Sequence, residues 1–419
     1  MSAPAAPKRN LTAIKWLTFL MFMMFAMTTD SVGTIIPEVI KEFHLSMVAA
    51  GAFHYAPMIA IAVAAILFGY LADKLGRKKT IILGLVLFAL NSYLFAVGNS
   101  FAFFLALLVI SGASIGIFKT GALALVGDIS LSTSEHTTTM NTVEGFFGVG
   151  AIIGPAIVAR LLTSGLSWKW LYVIAGTICV LLIITALLVK YPKTVRTQDE
   201  PINLRRTMRM MKNPYALGFS LGIFLYVAAE CAVYVWMPTL LAGYSGSFAY
   251  MATYAISIFF ILRAIGRFLG AWVLARFHWT SVMALFSLAI LVCFALAIAG
   301  GLSFAVWLMP LSGLFMSMIY PTLNSKGISC FPKTEHGAVA GVILFFTCAA
   351  AALGPLAMGA VSDAFGHPKY GFVLAAVFAA LLFAGLLFNW IRNPAGERLV
   401  GLDSSEYRSG GAPEPQNTE

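Results

Sequence analysis

Six ionisable side chains stand inside long apolar runs of this 419-residue chain: Asp30, Lys119, Glu144, Glu230, Arg263 and Lys326. Within a bilayer each such group costs about 2.5–3.5 kcal/mol on insertion scales, so six unpaired ones would cost roughly 15–20 kcal/mol. They must pair or line a water-filled cavity. There a carboxylate can capture a proton, and an ammonium or guanidinium can recognise an anion. Lys119, within GIFKTGALALVGD (116–128), carries the sharpest expectation. It should pair with Asp30 or Glu144 when the site is empty and pass to an anionic substrate when it is full. The carboxylate released from Lys119 would then take up a proton.

Helical spacing groups these charges with polar and small neighbours. Gly112, Gly116 and Lys119 share one face of their run, as do Asn141, Glu144 and Gly148. Tyr226, Glu230 and Tyr234 form a stripe four residues apart, Arg263 aligns with Gly266 and Gly270, and Ser317 aligns with Tyr320 and Asn324. These faces are expected to enclose one cavity, with Asn141, Tyr234, Tyr320, Asn324 and Lys326 beside the central charges. Tyr55, Tyr234, Trp236 and Tyr320 are candidates to stack on a sugar ring, although aromatics in apolar runs also serve as packing and interface anchors. His44 and His54 fall at or near the outer half of the chain. No Cys/His cluster or Gly-rich phosphate loop suggests a metal or cofactor, and no catalytic motif of the H-E-x-x-H or G-x-S-x-G kind is present, so an enzyme is not expected.

Positioning these residues requires membrane helices. The chain is 60% hydrophobic and only 11% charged, against about 25% charged for a soluble domain. Apolar runs give twelve spans, at roughly 14–40, 47–73, 79–98, 101–127, 138–163, 169–190, 213–241, 247–275, 280–300, 303–329, 336–362 and 369–392. The expected fold is therefore all-α, with twelve transmembrane helices in two pseudo-symmetric six-helix halves. The halves are 1–190 and 213–392, joined by a basic linker, 191–212, and followed by a polar and mobile tail, 393–419. The six buried charges fall on spans one, four, five, seven, eight and ten. The net charge of +10 comes from loops on one side, as the positive-inside rule describes, which places both termini in the cytoplasm and argues against nucleic acid. The N-terminal MSAPAAPKRN does not read as a cleaved signal peptide. The five cysteines are expected to be free thiols.

The halves repeat weakly. GAIIGPAIVARLL (150–162) and AAALGPLAMGAVSD (350–363) each place a Gly-Pro pair after a small-residue step, where the helix should bend or break while packing closely on a neighbour. GYLADKLGRKK (69–79), between spans two and three, contains Gly69, Asp73, Gly76, Arg77 and Lys78. Gly76 permits a tight turn. Asp73 can pair with Arg77 or meet a neighbouring helix N-terminus, and Asp128, at the end of span four, is placed to join Arg77. Such a cluster could latch the cytoplasmic side when the protein faces outward.

That loop resembles the signature loop of the major facilitator superfamily. IGRFLG and WVLARF in span eight, with GLFMSMIYPTLNSKGIS (313–329) and GPLAMGAVSDAFG (354–366), resemble its fucose–galactose–glucose:proton symporter group. The resemblance implies proton-coupled sugar import with one carboxylate in span one, matched by Asp30, and another in span four. Lys119 stands at the second position, so the two-carboxylate mechanism does not carry over. The expectation is a monomeric inner-membrane transporter of protons with a sugar, a sugar-derived acid or a small carboxylate. A neutral-sugar symporter, a proton-driven exporter and a non-transporting membrane sensor stand as alternatives. The step at 150–155 resembles the superfamily's antiporter motif but lacks its trailing Gly-Gly.

Overall fold

A computed structural model describes residues 8–45, 49, 51–192, 208–241 and 243–407. All regular structure among them is helical. Ten helices are long and apolar enough to cross a membrane. The second span is a 17-residue apolar helix, Ala52–Phe68, followed by the short turn Leu71–Lys74. The third, Arg77–Leu94, begins with three basic residues. Each of the twelve expected spans has its helix, with ends shifted by a few residues. Mid-span leucines such as Leu90, Leu181 and Leu285 are each more than 60% exposed, as side chains facing lipid should be. The basic linker falls mostly on 193–207, outside the described residues.

Two spans are interrupted. Span one runs as Lys8–Thr29 and Val32–Phe43, with turns at Asp30 and Ser31. Span ten runs as Leu302–Met316 and Ile319–Ser329. The two Gly-Pro spans, expected to bend or break, continue as helices over Thr133–Thr163 and His336–Ala364. Their small residues instead bring backbones together: a side chain at Gly150 or Gly154 would strike the Met23 or Met27 carbonyl oxygen of span one. Gly112 and Gly116, expected to face a cavity, pack against span two, where a Cβ on Gly116 would lie 2.9 Å from that of Ala64. Small residues here mark close helix approach, not open space.

The halves meet where spans two and four pack on span eleven and span five packs on spans eight and ten. Span five packs on span eight, with Gly148 against Ala264 and Gly145 against Phe268. Span two packs on span eleven, where a Cβ on Gly69 would lie 3.2 Å from the Gly341 Cα. The tail is not wholly loose. Residues Gly396–Leu402 form a helix, Leu399 is buried, and Arg398 Nε donates to the Cys330 carbonyl at 2.5 Å. The Arg398 guanidinium also rests over the rings of Tyr215 and Phe331. Asp403 Oδ1 accepts from the Thr133 amide of the other half at 2.8 Å. The tail thus bridges both halves at the face carrying the chain ends, hereafter the terminal face.

Candidate functional site

The central charges form ion pairs that cross between helices. Glu230 of span seven accepts from the Tyr226 hydroxyl one turn earlier at 2.5 Å and lies 2.7 Å from Arg263 Nε of span eight. That hydroxyl is also 2.8 Å from the Met316 carbonyl, at the break in span ten. Glu144 of span five faces Arg267 of span eight: Nη2 to Oε2 is 3.4 Å, and Nη1 donates to the Glu144 carbonyl at 2.9 Å. Arg267 is 1% exposed, so this pair is removed from water on nearly every side.

Arg267 is a residue that sequence reasoning missed, because it enters there only as part of the IGRFLG resemblance. The signal was available: Arg263 and Arg267 are four apart, so both guanidinium groups leave the same helix face. Arg267 thus joins Lys119, Arg263 and Lys326 among the cations carried within the spans.

Asp30, at the break in span one, accepts from the Thr29 hydroxyl at 2.8 Å. It lies in the field of Arg263, Lys119 and Arg267. Lys119 makes no ion pair with Asp30 or Glu144, contrary to expectation. Its ammonium rests 4.7 Å from the centre of the Phe147 ring and 5.7 Å from that of Phe22. Glu144 has Arg267 instead, and aromatic faces supply Lys119 with a substitute for a counter-ion.

Other candidates fall at different levels. Asn324 Nδ2 lies 3.4 Å from the Tyr320 hydroxyl, and both side chains are buried near Glu144 and Arg267. Asn141 donates to the Thr137 carbonyl, with its Oδ1 facing Gly270. Tyr234 contacts Cys231 Sγ at 2.9 Å, and Trp236 Nε1 donates to the Pro355 carbonyl, so Trp236 ties span seven to span eleven. Tyr55 is largely exposed. Lys326 is not with the central charges. It donates to the Thr133 carbonyl at 3.3 Å and lies over the Trp279 ring, at the terminal face. Among the described residues no group of three or more His, Cys, Asp or Glu side chains is arranged to hold a metal, and all five cysteines are free and buried.

The terminal face is closed by a second network. Gly76 turns the chain at φ 90°, which aims Arg77 back at Asp73. Arg77 also meets Asp128 at 2.7 Å and donates to the Lys333 carbonyl of the other half at 2.6 Å. Asp73 accepts the first amides of span eleven, Gly337 and Ala338, at 3.1 Å each, where a helix N-terminus favours a carboxylate. Lys78 stands apart: it caps the carbonyls of Leu187 and Val189 at the end of span six. Two buried histidines, not foreseen, complete the seam. His136 meets Ser329 at 2.7 Å, and the His336 ring lies parallel to it 6.3 Å away. Span five starts on this face through a capping box, in which Ser132 accepts from the Glu135 amide and Glu135 accepts from that of Leu131; Glu135 also holds Lys15 at 2.6 Å.

Helices that pack as two halves around paired charges, closed at one end by bonds between the halves, define a multi-pass membrane transporter. The chain belongs to the Major Facilitator Superfamily, whose family model matches residues 18–355. It is 26% identical over 408 residues to the L-fucose-proton symporter of Escherichia coli (strain K12), covering 87% of this chain and 90% of that protein. It is 23% identical over 383 residues to a glucose/galactose transporter of Brucella abortus biovar 1 (strain 9-941), covering 88% and 92%. The crystal structure of the transporter FucP in the outward conformation superimposes with a TM-score of 0.77 at 23% identity, over 91% of this chain and 99% of that one.

Proposed function

We propose that the protein couples protons to the import of a sugar-derived or other small carboxylate by alternating access in a bacterial inner membrane, with both termini cytoplasmic. Residues 1–190 and 213–392 are the two halves that rock, and the monomer is the working unit. On this orientation the closed terminal face is the cytoplasmic gate, and Asp73, Arg77 and Asp128 are its latch. The name of the L-fucose-proton symporter supports the proton as coupling ion, and both relatives' names support a sugar-like cargo.

One observation carries the anionic substrate: Lys119 is a partly exposed cation whose contacts are the faces of Phe147 and Phe22, not a carboxylate. A substrate carboxylate docking there screens Lys119 from Asp30, and Asp30 takes the proton. Arg263 and Arg267 stay committed to Glu230 and Glu144 and hold the helices in register.

The test is thermal stabilisation of the purified protein by neutral sugars paired with their uronic, aldonic and amino forms, alongside small carboxylates, in wild type and Lys119→Ala. A ligand bound at 100 times its Kd adds about 2.7 kcal/mol. Stabilisation by acids alone, lost in the variant, is expected. Neutral sugars stabilising both proteins equally would overturn the role of Lys119.

A further inference from the structure

Behind Asp30, on the side of spans two, four and six, lies a cavity of about 20 Å³. A single water needs roughly 10–15 Å³ and two to four polar partners. Five of the ten lining residues carry polar groups; Thr28 donates to the Phe25 carbonyl and Ser111 accepts from Asn91, and the other three serve the space. His54 Nε2, from the first turn of span two, is fully enclosed and has no hydrogen-bond partner. The Tyr172 hydroxyl, from span six, is equally enclosed and equally unpartnered, while its ring is held flat against Phe95 with centres 3.7 Å apart. The Thr29 hydroxyl stands on the remaining side, and its own proton is directed to Asp30 Oδ2 at 2.8 Å, closer than to the Phe25 carbonyl at 3.2 Å. Two buried polar atoms left unsatisfied around one space are costly unless a water joins them.

We propose that His54 and one water held between it, Tyr172 and Thr29 deliver protons to Asp30 from the face opposite the termini, on a path separate from the substrate cavity. His54 suits the entry point. It lies near that face, and the residue is partly exposed although Nε2 is enclosed. Each transfer balances. Nδ1 accepts a proton at the exposed rim and Nε2–H passes one to the water. The water gives one to Thr29 Oγ1, whose own proton moves to Asp30 Oδ2. Tyr172, the other titratable group on the wall, fixes the water without lying on the line of transfer. The arrangement lets Asp30 load while a substrate fills the cavity in front of it. It rests on the reading of Asp30 as the proton carrier.

The experiment follows the infrared C=O stretch of protonated Asp30 in liposome-reconstituted full-length protein after rapid acidification. The band is identified by its loss in Asp30→Asn. His54→Gln and Thr29→Val should each slow its appearance about tenfold or more, within the range that positioned proton transfer supplies, and leave the final amplitude unchanged. Tyr172→Phe, which keeps the ring stack, should slow it less. Wild-type rates in both His54→Gln and Thr29→Val would overturn the relay while leaving Asp30 as carrier. Amplitude falling in step with rate would also overturn it, since that is the mark of a structural role. The absence of any Asp30 band at any pH would remove the destination, and the coupling role of Asp30 with it.

Discussion

Asp73→Ala should move the protein away from the closed terminal face. In the structure Asp73 is 3% exposed, accepts the Gly337 and Ala338 amides of the opposite half, and balances Arg77, itself 1% exposed. Hydrogen bonds to a charged group contribute about 1.5–3 kcal/mol each net of competing hydration, and two that share one carboxylate contribute less than their sum. Losing both across the seam, while Arg77 keeps Asp128, should destabilise the closed state by about 2–4 kcal/mol. At 1.4 kcal/mol per factor of ten, that is a shift of roughly 30- to 700-fold in the ratio of closed to open. Spin labels at Lys41 and Tyr250, exposed positions toward the opposite face in the two halves, report the change as a distance distribution. Wild type should give the longer distance, and Asp73→Ala a new, shorter population. Arg77→Ala, which also cuts the bond to the Lys333 carbonyl, should do the same. Unchanged distributions in both variants, with folding intact, would refute the assignment of these bonds as a latch.

Two further outcomes follow from the same geometry. Gly150→Val, which drives a side chain into the Met23 carbonyl, should destabilise the folded protein by about 1–3 kcal/mol in a detergent melt, whereas Gly385→Val, with open space around its Cβ, should not. Asp403→Ala combined with Arg398→Ala should loosen the tail from both halves, raising proteolytic cleavage between 396 and 407 severalfold while the protein melts as before.

Twelve spans and their ends were legible because each is a run of apolar residues bounded by charge, and lipid enforces that pattern locally. The Asp73–Arg77 pairing was legible because Gly76, Arg77 and Asp73 are close in sequence. What failed were inferences that needed the partner helix. Gly112, Gly116 and Lys119 lie on one face by spacing, yet the glycines seat span two while the long lysine side chain reaches Phe147 and Phe22 on other spans. Glu144 took Arg267 from another half, a pairing no spacing within span five encodes. The tail read as polar and loose from composition, but Leu399 and Arg398 find apolar and aromatic surface on span ten and its neighbours.

On the proposed reading, with Asp30 as proton carrier and Lys119 as substrate cation, the pairing pattern constrains the coupling. Glu230 with Arg263 and Glu144 with Arg267 are each neutral as pairs, so the charge of the cavity changes only through Asp30 and Lys119. Empty, an ionised Asp30 and a charged Lys119 sum to zero, and the carrier can close over the site without burying net charge. A proton on Asp30 alone leaves a positive excess, and a carboxylate on Lys119 alone leaves a negative one. Either would have to be occluded uncompensated, at several kcal/mol per ion. Only the two together return the sum to zero. The free states that reorient cheaply are thus the empty and the doubly loaded ones, which is the condition for symport. A neutral sugar inverts this: with the proton it occludes a positive charge, and without it none. Lys119 in place of a second carboxylate therefore argues that the cargo itself carries the missing negative charge.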